Sequence, residues 1–426
     1  MSEQIRARLA EAIAARTGEL AALAQAMVRI PTINPPGRNY RALCELIGER
    51  LARQGWAVEY LRATGTPGDS DAYPRWNVIA RHAGPRPGPC VHFNGHIDVV
   101  DPGAGWTRDP FGGALEGDRL YGRGAADMKG GLAAAIIACE ALIDLGLNLP
   151  GALEISGTAD EESGGYGGVA WLAQRGRFSP PRVDHVIIPE PLGVGNVCIG
   201  HRGVWWAQVE THGRIAHGSM PFLGESAIAH MGALLGLIEA ELLPALAARQ
   251  TDMPVIPDGA RASTLNLNSI HGGQAEPEGG ALPSPCVADS CRLVIDRRLL
   301  AEETLEGAQA EVEALLARLE RGRPGFRASL RTLFAVPPVM APADAPVVRA
   351  CAEAIERLTG RPAALVASPG TYDQKHIDRI GRLKDCVAYG PGRLELAHQP
   401  DEYVEVSAMV TSARVMAEAA LALLAR

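Results

Sequence analysis

The sequence contains no uninterrupted apolar run of about 18 residues, so no membrane-spanning segment is expected. Its N-terminal stretch (MSEQIRARLAEAIAARTGELAALAQAMVRI) has acids and arginines breaking every apolar run, so it lacks the core of a secretory signal and reads as an amphipathic helix. There is no CxxC pair and no dense cysteine framework. The eight cysteines (44, 90, 139, 198, 286, 291, 351, 386) are scattered, several inside apolar patterns, which reads as buried reduced thiols and a cytoplasmic protein. A basic excess is also missing: the net charge of −8 argues against a broad nucleic-acid surface. Neither an internal repeat nor a low-complexity segment is visible. What remains is a chain of 426 residues, 47% hydrophobic and 21% charged, of ordinary globular composition and long enough for two or three domains.

After the first helix, the paired prolines of PTINPPG make a rigid loop. A helix over 40–54 is followed by strands at 57–61, 76–81 and 90–95, and by a helix from Asp127 to about 145. Next come a strand at 151–156, a helix at 167–175 and a strand at 183–188. Strands alternating with helices predict an α/β layer with a mostly parallel sheet and flanking helices. From about residue 200 the texture changes. HRGVWWAQVETHGRIAHG reads as a strand pair, 225–249 as one long helix, STLNLNSIHGG and CRLVIDRRLL as strands, and 302–321 as a second helix. This pattern predicts a smaller inserted α+β domain over 200–336, with the proline-rich FAVPPVMAPADAP as its exit. Residues 1–199 and 337–426 then form the main domain, closed by a helix over 407–424.

Three strands of the main domain end on chemistry. CVHFNGHIDVV delivers His96 and Asp98, LEISGTADEESGG delivers Glu161 and Glu162, and VDHVIIPEP delivers Glu190 between two prolines. A Gly-rich turn (LYGRGAADMKGGL) presents Asp127 at the mouth of a helix. Open α/β sheets build sites at the carboxyl ends of their strands. Imidazole and carboxylate groups collected there suit a divalent metal, with Asp98 placed to accept the other ring N–H of His96. H-x-D alone occurs by chance, and GRGAAD alone could be a simple turn. A dinucleotide site is excluded because Asp127 stands where that fingerprint wants its third glycine, and a carboxylate there would repel a pyrophosphate.

Taken in order, HFNGHIDVV, GRGAADMKGG, ADEESGG, PEP, GRIAHGSMP and GPG…AHQPDEYV resemble the dinuclear zinc-dependent amidohydrolase and peptidase family of acetylornithine deacetylase, succinyl-diaminopimelate desuccinylase, aminoacylase and glutamate carboxypeptidase. The resemblance covers nearly the whole chain. It implies one metal held by His96, Asp127 and Glu190, a second held by Asp127, Glu162 and His398, and a cis bond at Asp127–Met128. The two ions are zinc first, with cobalt or manganese as alternatives. It implies that Glu161 is the general base acting on a metal-bridging hydroxide, Asp98 its accessory, and His217 an oxyanion donor acting in cis or from a partner subunit. Glu161 could otherwise be an acid at a helix N-terminus, and His217 a turn histidine. Arg298 is implied for the substrate carboxylate, with Arg297 structural, and the inserted domain is implied to close as a lid and to form a homodimer.

Two places depart from the family pattern. LPSPCVADSC lacks the substrate-binding Asn expected near Cys286, and the Gly-Thr-Asp element reads SPGTYDQKH. Gly370, Thr371, Tyr372 and Lys375 are therefore expected to form a modified substrate wall, although Lys375 and His376 could equally be solvated. The sequence thus predicts a metallohydrolase cleaving the amide C–N bond of a small carboxylated substrate, an N-acyl amino acid or N-acyl diamino acid. A dipeptidase, carboxypeptidase or aromatic-amine aminohydrolase on the same site is the alternative within the class, and a non-catalytic metal-binding scaffold the alternative outside it.

Overall fold

A computed structural model describes residues 3–274, 282 and 284–425; the first two residues of the N-terminal helix reading and Pro283 of LPSPCVADSC lie outside them. The chain divides into two units. One comprises Met1–Gly200, Met340–Val366 and Tyr372–Arg426, the other His201–Val339 with Ala367–Thr371. The short segment Ala367–Thr371 thus groups with the second unit, although the sequence reading kept it in the first.

The first unit is built on a nine-stranded sheet flanked by helices, an α/β arrangement. Its strands run in the order Ala57–Ala63, Arg75–Ala83, Ala152–Thr158, Cys90–His96, His185–Ile188, Cys386–Ala388, Asn196–His201 and Val339–Met340, with Ala364–Ser368 pairing beside Asn196–His201. The sheet is mixed rather than mostly parallel. Cys90–His96 is parallel to both neighbours, and Cys386–Ala388 is parallel to His185–Ile188. The first two strands and the far side pair antiparallel. The parallel centre decides the function: Thr158 lies opposite His96, and Ile187 opposite Phe93, so three successive strands point their carboxyl ends to one edge.

Behind that edge, helix Gly130–Asp144 is buried from Gly130 to Leu142 and apolar there but for one acid, as a helix enclosed on every side tends to be. Its single buried acid, Glu140, is matched by Arg50 at 2.6 and 2.7 Å and by Arg16 at 3.1 Å. The N-terminal stretch forms two helices, Glu3–Ala15 and Thr17–Val28, rather than one, broken at Arg16. Helix Val406–Leu424 and helix Ala227–Ala247 are each long and apolar enough to cross a membrane by length and composition. The apolarity of the first is taken up by this core, where Met409, Ala413, Met416, Ala420 and Leu423 are buried.

The second unit is a four-stranded antiparallel sheet in the order Thr264–Gly272, Ser290–Leu299, Gly203–His212, Arg327–Val336. Its core joins Trp205, Ala207 and Val209, alternate residues of one strand, to Met231, Leu234 and Ile238 of one helix and Val312 and Leu316 of the other. HRGVWWAQVETHGRIAHG therefore holds the last residue of Asn196–His201 and one long strand, Gly203–His212, rather than a strand pair, with inward and outward residues alternating from Trp205. The helices start at capped ends, with Ser226 accepting from Ala229 N–H and Thr304 from Gly307 N–H.

Glu303 ties this unit together. Its carboxylate accepts from Arg297 Nη2 at 2.6 Å, Ser263 Oγ at 2.6 Å, Arg249 Nη1 at 2.9 Å and Leu300 N at 2.9 Å. Burial alone would raise its pKa, but these donors overcome that and bring it from 4.5 to about 2. A carboxyl whose folded pKa is depressed stabilises the fold above its unfolded pKa and ceases to as pH falls through the folded one. Glu303→Gln is therefore expected to lower Tm at pH 7. Melts at descending pH should show that deficit shrinking between pH 4.5 and 2; a deficit independent of pH would contradict the charge-based role.

Candidate metal centre

His96 closes its strand with Nε2 3.0 Å from Asp127 Oδ1 and 4.0 Å from Glu190 Oε1. Its Nδ1 lies 3.0 Å from the backbone carbonyl of Asp98, which fixes the proton on Nδ1 and leaves the Nε2 lone pair directed at the carboxylates. This corrects the expectation for Asp98. Its carboxylate stands 3.6 Å from Nδ1 and is engaged elsewhere. It accepts from the backbone N–H groups of Glu161 and Glu162, both at 3.1 Å, and from Asn34 Nδ2 at 2.8 Å. The physical reason is that two adjacent N–H groups at the start of a helical turn are a better anion site than one imidazole edge already taken by a carbonyl. Asp98 thereby orients the turn that carries Glu161 and Glu162.

Asp127 follows Gly124, whose φ of 84° makes the turn, and precedes a cis bond to Met128. Its two oxygens face opposite ways: Oδ1 toward His96, Oδ2 3.5 Å from His398 Nε2. His398 Nε2 also lies 3.1 Å from Glu162 Oε2. Two triplets result, His96–Asp127–Glu190 and Asp127–Glu162–His398, each with one ligand atom per residue all within 4.8 Å of one another. Helix Gly130–Asp144 can abut the loop bearing Glu190 only because position 131 is glycine; a Cβ there would sit 2.0 Å from the Pro189 carbonyl oxygen.

The charges in this cluster are out of balance with their burial. Burial first, and then Asp127, hold the Glu190 carboxyl well above its usual range, and burial raises Glu162 to about 7. Asp127 is driven the other way, because hydrogen bonds from His398 and His96 outweigh burial. Hydrogen bonds to Asp127 and Glu162 raise His398 to about 10, and His96 rises despite burial through Asp127, Asp98 and Glu190. Three carboxylates and two imidazoles thus demand positive charge between them. The same nitrogen and oxygen donors suit divalent zinc, cobalt or manganese.

Glu161 stands beside this cluster, and the structure gives it a partner that the sequence reading assigned elsewhere. Lys375, expected on the substrate wall, is 2% exposed and donates from Nζ to Glu161 Oε1 at 2.7 Å. Tyr372 also turns inward; it is 4% exposed and its hydroxyl donates to Gln374 Oε1 at 2.6 Å. The short helix Gln374–Arg379 packs its first turn into the interior, so the solvated alternative for Lys375 and His376 does not hold. Gly370 and Thr371 are half-buried and belong to the second unit, where Gly370 N–H donates to Ser368 Oγ at 3.2 Å.

Also within the second unit, His217 is exposed and its Nδ1 accepts from the Ser219 backbone N–H at 3.1 Å. A backbone N–H can only donate, so the neutral ring carries its proton on Nε2. Arg298 holds Asp296 from Nε at 2.8 Å and Nη2 at 2.9 Å. Arg297 is buried on Glu303 and Ser263, in keeping with its structural reading.

Sequence reasoning missed the groups that hold the ligands in place. Glu402 Oε1 accepts from Ala126 N–H at 2.9 Å and Asp127 N–H at 3.1 Å, while its Oε2 takes Arg123 Nη1 at 2.5 Å. Buried Lys129 donates to the Ile30 carbonyl at 2.9 Å. Asn34, in the proline loop, donates to Asp98 and to Ser163 Oγ. The one available signal was the place of Glu402 in the loop that carries His398.

A mixed α/β sheet whose parallel centre carries a paired N/O donor cluster at its strand ends fits the class of metal-dependent hydrolases. The chain belongs to peptidase family M20/M25/M40, whose model matches residues 92–422, and it is a hydrolase acting on amide bonds. It is 30% identical over 395 residues to the succinyl-diaminopimelate desuccinylase of Methylorubrum extorquens strain PA1, covering 91% of this chain and 94% of the relative. Human carnosine dipeptidase 1 shares the fold with a TM-score of 0.80 at 19% identity, covering 99% of both chains. The M20 family metallo-carboxypeptidase Sso-CP2 of Sulfolobus solfataricus does so with a TM-score of 0.74 at 20% identity, covering 95% of this chain and 99% of that one.

Outer groups that orient metal ligands are worth about 10–100-fold in metal affinity. Glu402→Gln, which keeps the shape but loses the charge, is expected to weaken divalent-metal binding by about tenfold or more in a chelator competition. Unchanged affinity would show that Glu402 does not orient Asp127.

Proposed function

We propose that this hydrolase removes the acyl group from a small N-acyl diamino acid, a succinylated one first, using two divalent ions. The observation that carries the substrate reading is the desuccinylase relative, similar over nine-tenths of the chain. The metal reading rests on the two donor triplets that share Asp127. We assign His96, Asp127 and Glu190 to one ion and Asp127, Glu162 and His398 to the other, with zinc first and cobalt or manganese as alternatives. Such ions polarise the scissile carbonyl and lower the pKa of water.

The protein's own groups do the rest. Glu161 takes a proton from the attacking water and passes it to the departing amine nitrogen, so that amide and water become carboxylate and amine. Asp98 fixes the backbone of Glu161. His217 carries its proton on Nε2 and is suited to donate to the tetrahedral oxyanion, in cis or from a partner subunit. Arg298 has a planar fork suited to the substrate carboxylate, for which Asp296 acts as a resident competitor. The inserted domain over 200–336 is read as the lid and the dimer seam. The support is edge strand Thr264–Gly272 with Ile270 exposed, and Ile228 exposed on the neighbouring helix. A reducing, cytoplasmic setting fits the seven buried thiols.

Purified protein should hydrolyse N-succinyl diamino acids faster than unmodified dipeptides in an amine-release assay. Chelation should abolish the activity and added divalent metal restore it. A preference for dipeptides would replace the deacylase reading with the dipeptidase one. Glu161→Gln should keep its metal content and lower kcat by about a thousandfold, the scale of general-base catalysis; retained kcat would refute the base assignment.

A further inference from the structure

Of the 41 basic residues in this chain only three are lysines, at 129, 375 and 384. Arginine is the default cation, yet at position 375, inside the protein and against the acid proposed as base, a lysine stands. An ammonium is a compact point charge that can take one oxygen of a carboxylate, whereas a guanidinium fork engages both. That distinction is what the geometry displays, since Lys375 Nζ bonds Glu161 Oε1 at 2.7 Å and the pair is almost entirely out of water.

The platform under the lysine is fixed from several sides. Asp373, at the start of the helix, accepts from Asn94 Nδ2 at 2.9 Å. Gln374 donates to the Cys386 carbonyl at 2.9 Å, and His376 Nε2 lies 2.7 Å from the Gly164 carbonyl, in the loop that leaves Glu161. On the other side, Asp98 holds the Glu161 backbone N–H at 3.1 Å. Glu161 is thus held by its main chain and by Oε1, and Oε2 is the oxygen outside that bond. Burial opposes the ammonium charge, but Glu161 and Asp373 more than offset this, so the lysine stays protonated.

We infer that Lys375 is a positioning residue for the hydrolytic reaction: it occupies Oε1 of Glu161 and so presents Oε2 to the water and the departing nitrogen. The inference rests on Glu161 being the base, as proposed above. It replaces the reading of Lys375 as a substrate contact, and it separates this chain from a design in which the base is held by its backbone alone.

The test is a double-mutant cycle in the full-length, metal-loaded enzyme, with N-succinyl diamino acid as substrate. Lys375→Met is expected to lower kcat by about a hundredfold, the scale of a misplaced catalytic group, with KM and bound metal within about twofold of wild type. Added to Glu161→Gln it should cost nothing further, because it acts through that carboxylate. Lys375→Arg should recover part of kcat by restoring the charge. A kcat within about threefold of wild type in Lys375→Met, or a raised KM with kcat preserved, would overturn the inference. So would a loss that adds to that of Glu161→Gln. Should Lys375→Met not fold, the cycle is read with Lys375→Arg: a kcat loss absent in the Glu161→Gln background supports the inference, and no loss or an additive loss overturns it. An inactive wild type would instead remove the hydrolase substrate reading, and an active Glu161→Gln the base assignment, so the failures are distinguishable.

Discussion

Carboxylates of Asp127, Glu162 and Glu190 are gathered with two imidazoles into two overlapping clusters, each less than 5 Å across, at a largely buried sheet edge. Two like charges at that distance repel by about 3 kcal/mol even at an effective dielectric of 20. Positive charge must therefore enter, as protons on the imidazoles and acids or as cations among them. The surroundings make sense as devices that hold this unfavourable arrangement together. Asp98 and Glu402 present oxygens to backbone N–H groups of the very turns that carry the ligands, and Arg123 neutralises Glu402 behind them.

The fold supplies the rigidity that such crowding needs. A strand parallel to both neighbours brings three carboxyl ends to one edge, and the buried helix after Asp127 leaves that turn no freedom to retreat. Proximity between helix and sheet is set at Gly131, where any side chain would meet the Pro189 carbonyl. One helix end and one strand end are thereby locked together, and with them Asp127 and Glu190. The base is held by the same logic with opposite charge, an anion fixed by one ammonium.

Much of this was legible in the residues. Alternating strands and helices located the α/β layer, and the motifs at strand ends located His96, Asp127, Glu162 and Glu190. His398 came from the family resemblance. The mixed character of the sheet was not legible, because antiparallel outer strands such as Ala57–Ala63 carry the same short apolar pattern as parallel ones. The duty of Asp98 was misread because spacing shows that an acid is near a histidine, and not whether a main-chain carbonyl lies closer. The solvated alternative for Lys375 and His376 was left open because ionic residues in a loop-like stretch suggest exposure; both are buried. The packing of Gln374–Arg379, whose first four residues are buried, is not encoded in that pattern. The proton position on His217 depends on Ser219 two residues away, a local geometry that no pattern encodes.

The central claim, that two cations share Asp127, is tested most directly by anomalous X-ray diffraction from zinc-loaded crystals. The account predicts two peaks about 3.5–4 Å apart, one on either side of the Asp127 carboxylate. A single peak, or peaks away from His96 and His398, would contradict it.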